Sequence, residues 1–308
     1  MGTSPSDQAG KRPPSTSIDF SIGLPVLLTA AGVMLVACWF AWYFVWRPFA
    51  VDSAIAHYAK VDGVSGKPVS VGSDTLADVM VLCSRGFRKL YPDVKIELET
   101  KGSATAPPAL TDGSSQLAPM SRPLTADEVR AFETKYGYKP TLFKVALDAL
   151  ALYVNKGNPI RGMTLQQVDG IFSSSLKRGG PLLETWGSIG LSGDWATRPI
   201  NLYGRDSVSG THAYFKEHVL QNGDFKMTVH EEISENVVDG VGTDPSGIGY
   251  SGIGWKTSQV RTVPIGETAG AFVSPSYKNA LDGTYPLARL LYIYVNQKPG
   301  QPPEKLTG

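Results

Sequence analysis

Three stretches of the sequence combine small hydroxyl residues with glycine, each just after a predicted strand and at the start of a predicted helix. They are residues 72–75 (Gly-Ser-Asp-Thr), 102–105 (Gly-Ser-Ala-Thr) and 209–211 (Ser-Gly-Thr). A helix start offers unpaired N–H groups and a partial positive charge, and nearby hydroxyls can donate to the same acceptor. Glycine lets the backbone approach that acceptor closely. Together, the three stretches predict a site for a small anion.

One arginine strengthens this prediction. Arg205 lies four residues before Ser209 and directly after a predicted strand. Its guanidinium offers a fork of N–H donors that suits a tetrahedral oxyanion. Each hydroxyl stretch alone has a simpler interpretation, because Ser, Asp and Thr are the ordinary residues that cap helix N-termini. Three such stretches with one arginine favour convergence on a single ligand.

Other chemistries find less support. Residues 247–252 match the dinucleotide pattern G-x-G-x-x-G, but no clear strand precedes them. There is no G-x-S-x-G nucleophile motif, and His212 and His218 face different sides of one predicted helix, which disfavours Ser–His hydrolysis. Two cysteines and four histidines exclude a Cys-rich metal site and leave little for a multi-histidine one. The sequence therefore predicts no catalytic residue, no metal and no cofactor.

The residues that carry this chemistry sit in an alternation of strands and helices. Strands are predicted at residues 69–71, 94–99, 145–154, 200–203 and 290–295. A helix follows the first strand, with an apolar stripe at helical spacing that includes Cys83 as a small buried side chain. Asp148 interrupts the longest apolar run, and we expect backbone donors to satisfy it. Such alternation predicts an α/β fold with a mostly parallel sheet, or two such sheets.

Composition excludes several classes of protein. Charged residues make up 19% and hydrophobic residues 42% of the 308 residues, which fits neither a disordered polymer nor a membrane protein throughout. The formal net charge is +1, so no basic excess points to nucleic acid.

The N-terminal region predicts a membrane anchor. Residues 1–21 read as a disordered cytoplasmic tail, and residues 22–46 contain 25 consecutive residues without a charge. A helix of that length spans about 37 Å, enough to cross a bilayer with some tilt. Residues 47–68 then form a linker. Two alternatives stay open: a cleaved signal peptide, and a lipoprotein whose residues 35–38 (Leu-Val-Ala-Cys) place a lipid on Cys38.

A resemblance emerges from short stretches in their order along the chain. The sequence resembles the substrate-binding proteins of phosphate ABC transporters over about residues 69–297, nearly the whole part after the anchor. The matching stretches are residues 71–76, 91–94, 102–103, 120–124, 155–159, 205, 209–211, 247–250 and 285–287. No single stretch is diagnostic, but the ordered set is fairly specific.

The resemblance implies a two-lobed periplasmic binding fold of type II, with an anion held between the lobes by hinge closure. Lobe I would comprise residues 69–145 with 251–300, lobe II residues 146–250, and residues 301–308 a tail. The resemblance also implies hydroxyl and N–H donors around one strong cation, Arg205. The resulting ligand-binding set is Ser73, Asp74, Thr75, Leu76, Ser103, Ser121, Arg122, Arg205, Ser209, Gly210 and Thr211.

Two positions depart from the family pattern. Some relatives carry an aspartate after the serine of the third loop, where it accepts the proton of hydrogen phosphate, whereas this chain has Arg122. Asp74 can serve as that acceptor instead, or as a helix cap. Relatives also often carry Asp-Gly before Ser-Gly-Thr, where this chain has Ser207-Val208. Asp206 remains available to orient Arg205. Without a defined acceptor, the choice between phosphate and sulfate stays open.

The sequence thus predicts a binding protein for inorganic phosphate that is tethered to the bacterial inner membrane through residues 22–46. Its large domain would lie in the periplasm or extracytoplasmic space and deliver phosphate to ABC transporter permease subunits, without chemistry on the anion and without binding nucleic acid. The alternative is an accessory or docking subunit of another inner-membrane complex that reuses the same fold, since a helical anchor is unusual for a binding protein.

Overall fold

The structure is a computed structural model, and it describes residues 58–298 and residue 300. The predicted N-terminal tail, the anchor, residues 47–57 of the linker and the C-terminal tail at residues 301–308 lie outside the described residues, as does Cys38. Within the described part, no helix is long and apolar enough to cross a membrane. The elements below all lie in one compact unit that begins at Lys60.

One long strand organises the sheet. Strand β4 (Thr141–Asn155) pairs antiparallel with β11 (Ala288–Val295) up to Ala149. From Leu150 onward it pairs antiparallel with β8 (Gly247–Gly252) and β9 (Val260–Val263) instead. The two groups of strands therefore share one backbone. In order, the sheet consists of β2 (Glu97–Glu99), β1 (Val69–Val71), β3 (Leu117–Met120), β11, β4, β8, β6 (Asn201–Arg205) and β7 (Val229–Glu232), and β9 also pairs with β4.

The strands before β4 form one end of this sheet. Strand β1 pairs parallel with both β2 and β3, and β3 pairs antiparallel with β11. The elements are β1 (Val69–Val71), α1 (Ala77–Leu90), β2 (Glu97–Glu99), α2 (Ala106–Asp112), β3 (Leu117–Met120) and α3 (Ala126–Tyr136). Thr125 and Glu128 form a reciprocal capping box at the start of α3, which satisfies two N–H groups that a helix start leaves free.

The other end of the sheet follows the same strand–helix order. Strand β6 pairs parallel with β7 and with β8. The elements are β5 (Met163–Thr164), α4 (Leu165–Phe172), β6 (Asn201–Arg205), α5 (Gly210–His218), β7 (Val229–Glu232), α6 (Ser234–Thr243), β10 (Ile265–Gly266) and α7 (Tyr277–Leu281). The largest core lies here, and in it Phe215 of α5 stacks on Tyr250 of β8 with ring centroids 3.9 Å apart.

Two expectations from the sequence are corrected, and the residues of one motif are placed in the fold. The sheet has parallel ends, but all four pairings of β4 and β11 at its centre are antiparallel. The G-x-G-x-x-G pattern is itself the buried strand β8 rather than a loop, so it offers no cradle for a cofactor. Cys83 is exposed, because the buried residues of α1, Met80 and Ser84, continue a row from Leu76 just before the helix, and this row leaves Cys83 to one side.

Candidate functional site

The predicted binding residues lie at the carboxyl ends of four strands, of which β1, β2 and β3 are parallel to one another and β6 belongs to the other parallel group. The first hydroxyl stretch follows β1, the second follows β2, Ser121 follows β3, and the Ser-Gly-Thr stretch follows β6. In α/β sheets, ligands bind in the crevice at this end of the strands, because the loops there converge and helices begin there. The local strand–loop–helix design in the sequence is therefore what gathers these residues.

Four hydroxyl groups meet in pairs across these loops. The hydroxyl oxygens of Thr75 and Thr211 are 3.1 Å apart. Those of Ser103 and Ser121 are also 3.1 Å apart, and the Ser121 N–H donates to the Ser103 oxygen at 3.0 Å. Ser103, Ser121 and Thr211 are fully buried. The structure thus brings together hydroxyls from all four loops.

Glycine at two positions allows the loops to come this close. A side-chain carbon added at Gly210 would lie 2.4 Å from the hydroxyl oxygens of both Ser103 and Ser121, far inside van der Waals contact. Gly102 has a φ of +94° and would place such a carbon 2.7 Å from the carbonyl oxygen of Val208. The second and fourth loops therefore pack backbone to backbone, which only glycine permits.

Arg205 is the buried cation of this cluster. Its side chain is 1% exposed, and its Nη2 donates to the Asp74 carboxylate at 2.5 Å. Its Nη1 donates to the Ser234 hydroxyl, and its Nε donates to the carbonyl of Glu232 at 3.2 Å. None of its hydrogen bonds goes to Asp206, the neighbour in sequence that we expected to orient it. Burial of an arginine with these partners fixes the direction of its remaining donors.

Asp74 belongs to the cluster and does not cap a helix. It lies in the first turn of a 3₁₀ helix (Asp74–Leu76) whose N-cap, Ser73, makes no side-chain capping bond. Besides Arg205, Ser234 donates to its Oδ2 at 3.2 Å. Its other oxygen, Oδ1, is buried and accepts no hydrogen bond within the described part of the chain. Asp74 therefore keeps one acceptor without a partner among the described residues, beside the cation Arg205.

Ser209 fits the simpler structural interpretation. It is the N-cap of α5, and its hydroxyl accepts from the N–H of Thr211 at 3.1 Å. Ser73 is fully buried, and its hydroxyl makes no hydrogen bond within the described residues. The side chain of Leu76 packs in the core with Met80 and Leu291, so only its backbone can serve a ligand.

The structure does not bring the guanidinium of Arg122 into the cluster. It donates to both oxygens of Glu128, at 2.8 and 2.7 Å, and to the carbonyl of Pro123. Burial acts to raise the pKa of the Glu128 carboxyl, but the bonds from Arg122 and Thr125 outweigh it and lower the pKa. Because Glu128 is the carboxylate of the α3 capping box, Arg122 is fixed to that helix start.

Sequence reasoning missed two residues of this region and the partner of a third. Ser234 begins α6 and bridges Arg205 and Asp74. Arg289 of β11 donates to Asp148 of β4 at 3.0 and 2.8 Å, and to the hydroxyl of Thr211 at 2.8 Å. Backbone donors therefore do not satisfy Asp148 as expected. The available signal was a pair of opposite charges, one in each of two apolar strands.

The charges of this region balance. The two buried arginines, Arg205 and Arg289, each contact one aspartate. Any further anion must therefore be held mainly by neutral donors, namely hydroxyls and backbone N–H groups at the starts of helices. Among the described residues there is no group of three or more His, Cys, Asp or Glu that could hold a metal ion. The arrangement is suited to reversible binding of a small oxyanion.

His212, on the first turn of α5, gives a pH-dependent expectation. Burial, with smaller contributions from Lys216 and Arg205, lowers its pKa to about 4, and its ring lies 4.5 Å from that of Phe225. The unfolded chain binds this proton near pH 6.5, so the unfolded state is favoured as pH falls from there towards 4. We expect H212Q to lose less stability than the wild type between pH 7 and pH 5 in urea unfolding.

The control for this measurement is H218Q, a matched substitution at an exposed histidine on the same helix. It corrects for general effects of removing a histidine from α5. Equal losses of unfolding free energy in H212Q and the wild type would contradict the assignment.

Comparisons with known proteins agree on the class of protein. The model of the PBP superfamily domain matches residues 60–308. A structure from Clostridium perfringens, of a phosphate ABC transporter substrate-binding protein with bound phosphate, aligns with a TM-score of 0.63 at 23% identity. The alignment covers 75% of this chain and 87% of that one. At this identity the likeness shows the fold: the two-lobed α/β fold of periplasmic binding proteins.

Relatives by sequence are more specific. A protein named phosphate-binding protein PstS from Pseudomonas aeruginosa is 52% identical over 260 residues, which is 83% of this chain and 80% of that protein. Another of the same name, from Staphylococcus saprophyticus, is 29% identical over 231 residues, 74% of this chain and 69% of that protein. The chain belongs to the PBP superfamily and, within it, to the PstS family of phosphate-binding proteins. The family consists of substrate-binding proteins for transport, not of enzymes.

Proposed function

We propose that this protein binds inorganic phosphate reversibly outside the cytoplasm and delivers it to an ABC transporter. The observation that carries the proposal is the meeting of the four loops around Gly210, with hydroxyls from each loop and the buried guanidinium of Arg205. The names of the relatives, phosphate-binding protein PstS, support the identity of the anion. The similar structure from Clostridium perfringens, a phosphate ABC transporter substrate-binding protein with bound phosphate, supports the role in transport.

The donors divide into three kinds. The hydroxyls of Thr75, Ser103, Ser121 and Thr211 donate to phosphate oxygens, and the backbone N–H groups of Leu76 and Gly210 add donors at the starts of two helical segments. Arg205 supplies the positive charge. We leave Arg122 out of this set because Glu128 holds it. Each hydrogen bond to a charged oxyanion is worth about 1.5–3 kcal/mol when it is well formed.

Asp74 takes the role that some relatives give to the position of Arg122. Hydrogen phosphate carries one proton, and the P–O–H group can donate a hydrogen bond to the free Oδ1 of Asp74. Sulfate carries no proton at neutral pH, so its oxygen would face this carboxylate oxygen with no hydrogen between two acceptors. Such an unsatisfied pair in a buried site is costly. Asp74 would therefore favour phosphate over sulfate.

Calorimetric titration of the purified protein with phosphate and with sulfate tests this proposal. The wild type is expected to bind phosphate and to bind sulfate at least about a hundredfold more weakly, as a lost buried hydrogen bond and a repulsive contact predict. D74N replaces the acceptor with an amide that can donate to sulfate, so the ratio of the two affinities should fall by about tenfold or more. Absence of phosphate binding by the wild type would refute the proposed function, and an unchanged ratio in D74N would refute the role of Asp74.

The finer features of the proposal concern the membrane and the division of the chain. We propose that residues 22–46 anchor the protein in the inner membrane and that the binding domain lies in the periplasm. We also propose that one half is built on residues 69–145 and the other on residues 146–250, with β9, β10 and α7 sharing the core of the second half. Lipidation at Cys38 is the alternative form of attachment. Mass spectrometry of the mature N-terminus distinguishes them: an intact chain supports the helical anchor, and a lipid mass on an N-terminal Cys38 supports the lipoprotein.

A further inference from the structure

Arg289 connects three elements at the edge of the proposed phosphate site. It lies directly opposite Asp148 in the antiparallel pairing of β11 with β4. Its Nε and Nη2 both donate to Oδ2 of Asp148, and Nη2 also donates to the hydroxyl oxygen of Thr211 on α5, at 2.8 Å. Arg289 is 5% exposed, Asp148 is 7% exposed and Thr211 is fully buried. The buried ion pair of Asp148 and Arg289 therefore contacts a hydroxyl group of the site, that of Thr211.

These bonds determine what the Thr211 hydroxyl can do. A guanidinium only donates, so the Thr211 oxygen is the acceptor in its bond with Arg289. The hydroxyl proton of Thr211 is then free to point away from Arg289, and the next oxygen, that of Thr75, lies 3.1 Å away. A hydroxyl that accepts from a charged donor is also polarised into a stronger donor itself. Arg289 therefore leaves the Thr211 hydroxyl proton directed towards the proposed phosphate site, where it can be donated to a ligand in a hydrogen bond.

The surroundings hold this arrangement rigid. The guanidinium of Arg289 lies 5.2 Å from the ring centroid of Tyr214, one turn further along α5. The Tyr214 hydroxyl donates to the carbonyl of Ala288 at 3.1 Å, which ties α5 to β11. Next to Asp148, a side-chain carbon at Gly252 would lie 3.3 Å from both carboxylate oxygens, so that carboxylate is closely confined. A lysine, with a single nitrogen, would lose one of the two bonds to Asp148 that fix the direction of the donor to Thr211.

We propose that Arg289, held by Asp148, is a positioning residue that orients the Thr211 hydroxyl as a hydrogen-bond donor to the bound oxyanion. The role rests on the proposed function, since it is defined by the phosphate that Thr211 contacts. It adds a second arginine to the site, one that acts through Thr211, whereas Arg205 acts on the anion itself.

A double-mutant cycle tests this role. Phosphate affinity is measured by calorimetry for the wild type, R289M, T211V and R289M/T211V. R289M is expected to weaken phosphate binding about tenfold in the wild-type background. In the T211V background the same change should weaken binding less than about twofold, because the hydroxyl that Arg289 orients is already gone. A purely structural role would lower the thermal unfolding temperature without this loss of additivity.

Two further variants keep the test decisive. If R289M does not fold, R289K takes its place in the cycle, since lysine keeps the charge beside Asp148 but loses the fork. The control is R130M. Arg130 has a side chain that is 73% exposed and forms a surface ion pair with Asp127, so its replacement should leave phosphate affinity unchanged. Additive losses in the cycle overturn the proposal, because they mean that Arg289 does not act through Thr211. A wild type that binds no phosphate would instead refute the proposed function, and the role of Arg289 with it.

Discussion

Replacement of Arg205 by alanine is expected to weaken phosphate binding more than removal of any single hydroxyl. The change removes the strong cation of the site and also leaves Asp74 without its partner, so that an uncompensated carboxylate faces the incoming anion. The combined loss is expected to reach about 3 kcal/mol or more, which is at least roughly a hundredfold in Kd. Calorimetric titration of R205A with phosphate measures this loss.

Two companion variants interpret the result. R205K keeps the charge but cannot contact Asp74, Ser234 and the carbonyl of Glu232 together, so it should recover only part of the affinity. Thermal unfolding of both variants separates lost binding from lost folding. A folded R205A with wild-type phosphate affinity would show that the anion is bound elsewhere.

Replacement of Gly210 by alanine is expected to have a comparably large effect from a single added methyl group. Its carbon would lie 2.4 Å from the hydroxyl oxygens of both Ser103 and Ser121, and both serines are fully buried. Neither can move aside without displacing its loop, so the fourth loop must separate from the second and third. We expect loss of phosphate binding by at least about a hundredfold, together with a lower unfolding temperature.

The matched control is Gly86→Ala in α1, where an added side-chain carbon meets nothing within 4 Å. Alanine in a helix is favoured over glycine by about 1 kcal/mol, so G86A should be as stable as the wild type or more stable, with unchanged binding. Because helix propensity favours alanine at both positions, a loss of binding and stability in G210A but not in G86A would be due to the close contact at Gly210. Wild-type binding by G210A would contradict the packing of the loops around this glycine.

The sequence predicted the site where local pattern was sufficient. A strand followed by Gly, Ser and Thr at a helix start is a local design, and within each group of parallel strands the carboxyl ends bring such designs to one edge. The antiparallel pairings of β4 then bring the edges of the two groups together. The same reasoning placed Thr75, Ser103, Arg205 and Thr211 in one region, although they are far apart in sequence. Local sequence could not distinguish a residue that caps a helix from one that faces a ligand, since Ser209 caps α5 whereas Asp74 caps no helix.

Residues whose roles depend on register could not be predicted. Asp148 and Arg289 are partners because β4 and β11 pair with these two residues directly opposite, and a shift by one residue would turn them to opposite faces. Arg122 follows the site serine in sequence, but the carboxylate at the start of α3 takes its guanidinium. Cys83 shows the same limit for packing. Helical spacing predicts which residues share one face of a helix, but it does not predict which of them another element will cover.

The continuity of β4 has a mechanical consequence. Its partner changes from β11 to β8 between Ala149 and Leu150, with no loop at the junction, and Leu150 is also bonded through its N–H to Leu287 and through its carbonyl to the Tyr285 hydroxyl. A paired strand resists bending within the plane of its sheet but twists readily about its own axis. Any motion between the two groups of strands that leaves the pairings intact must then be taken up within β4 itself, by twisting about its axis or by bending out of the plane of the sheet.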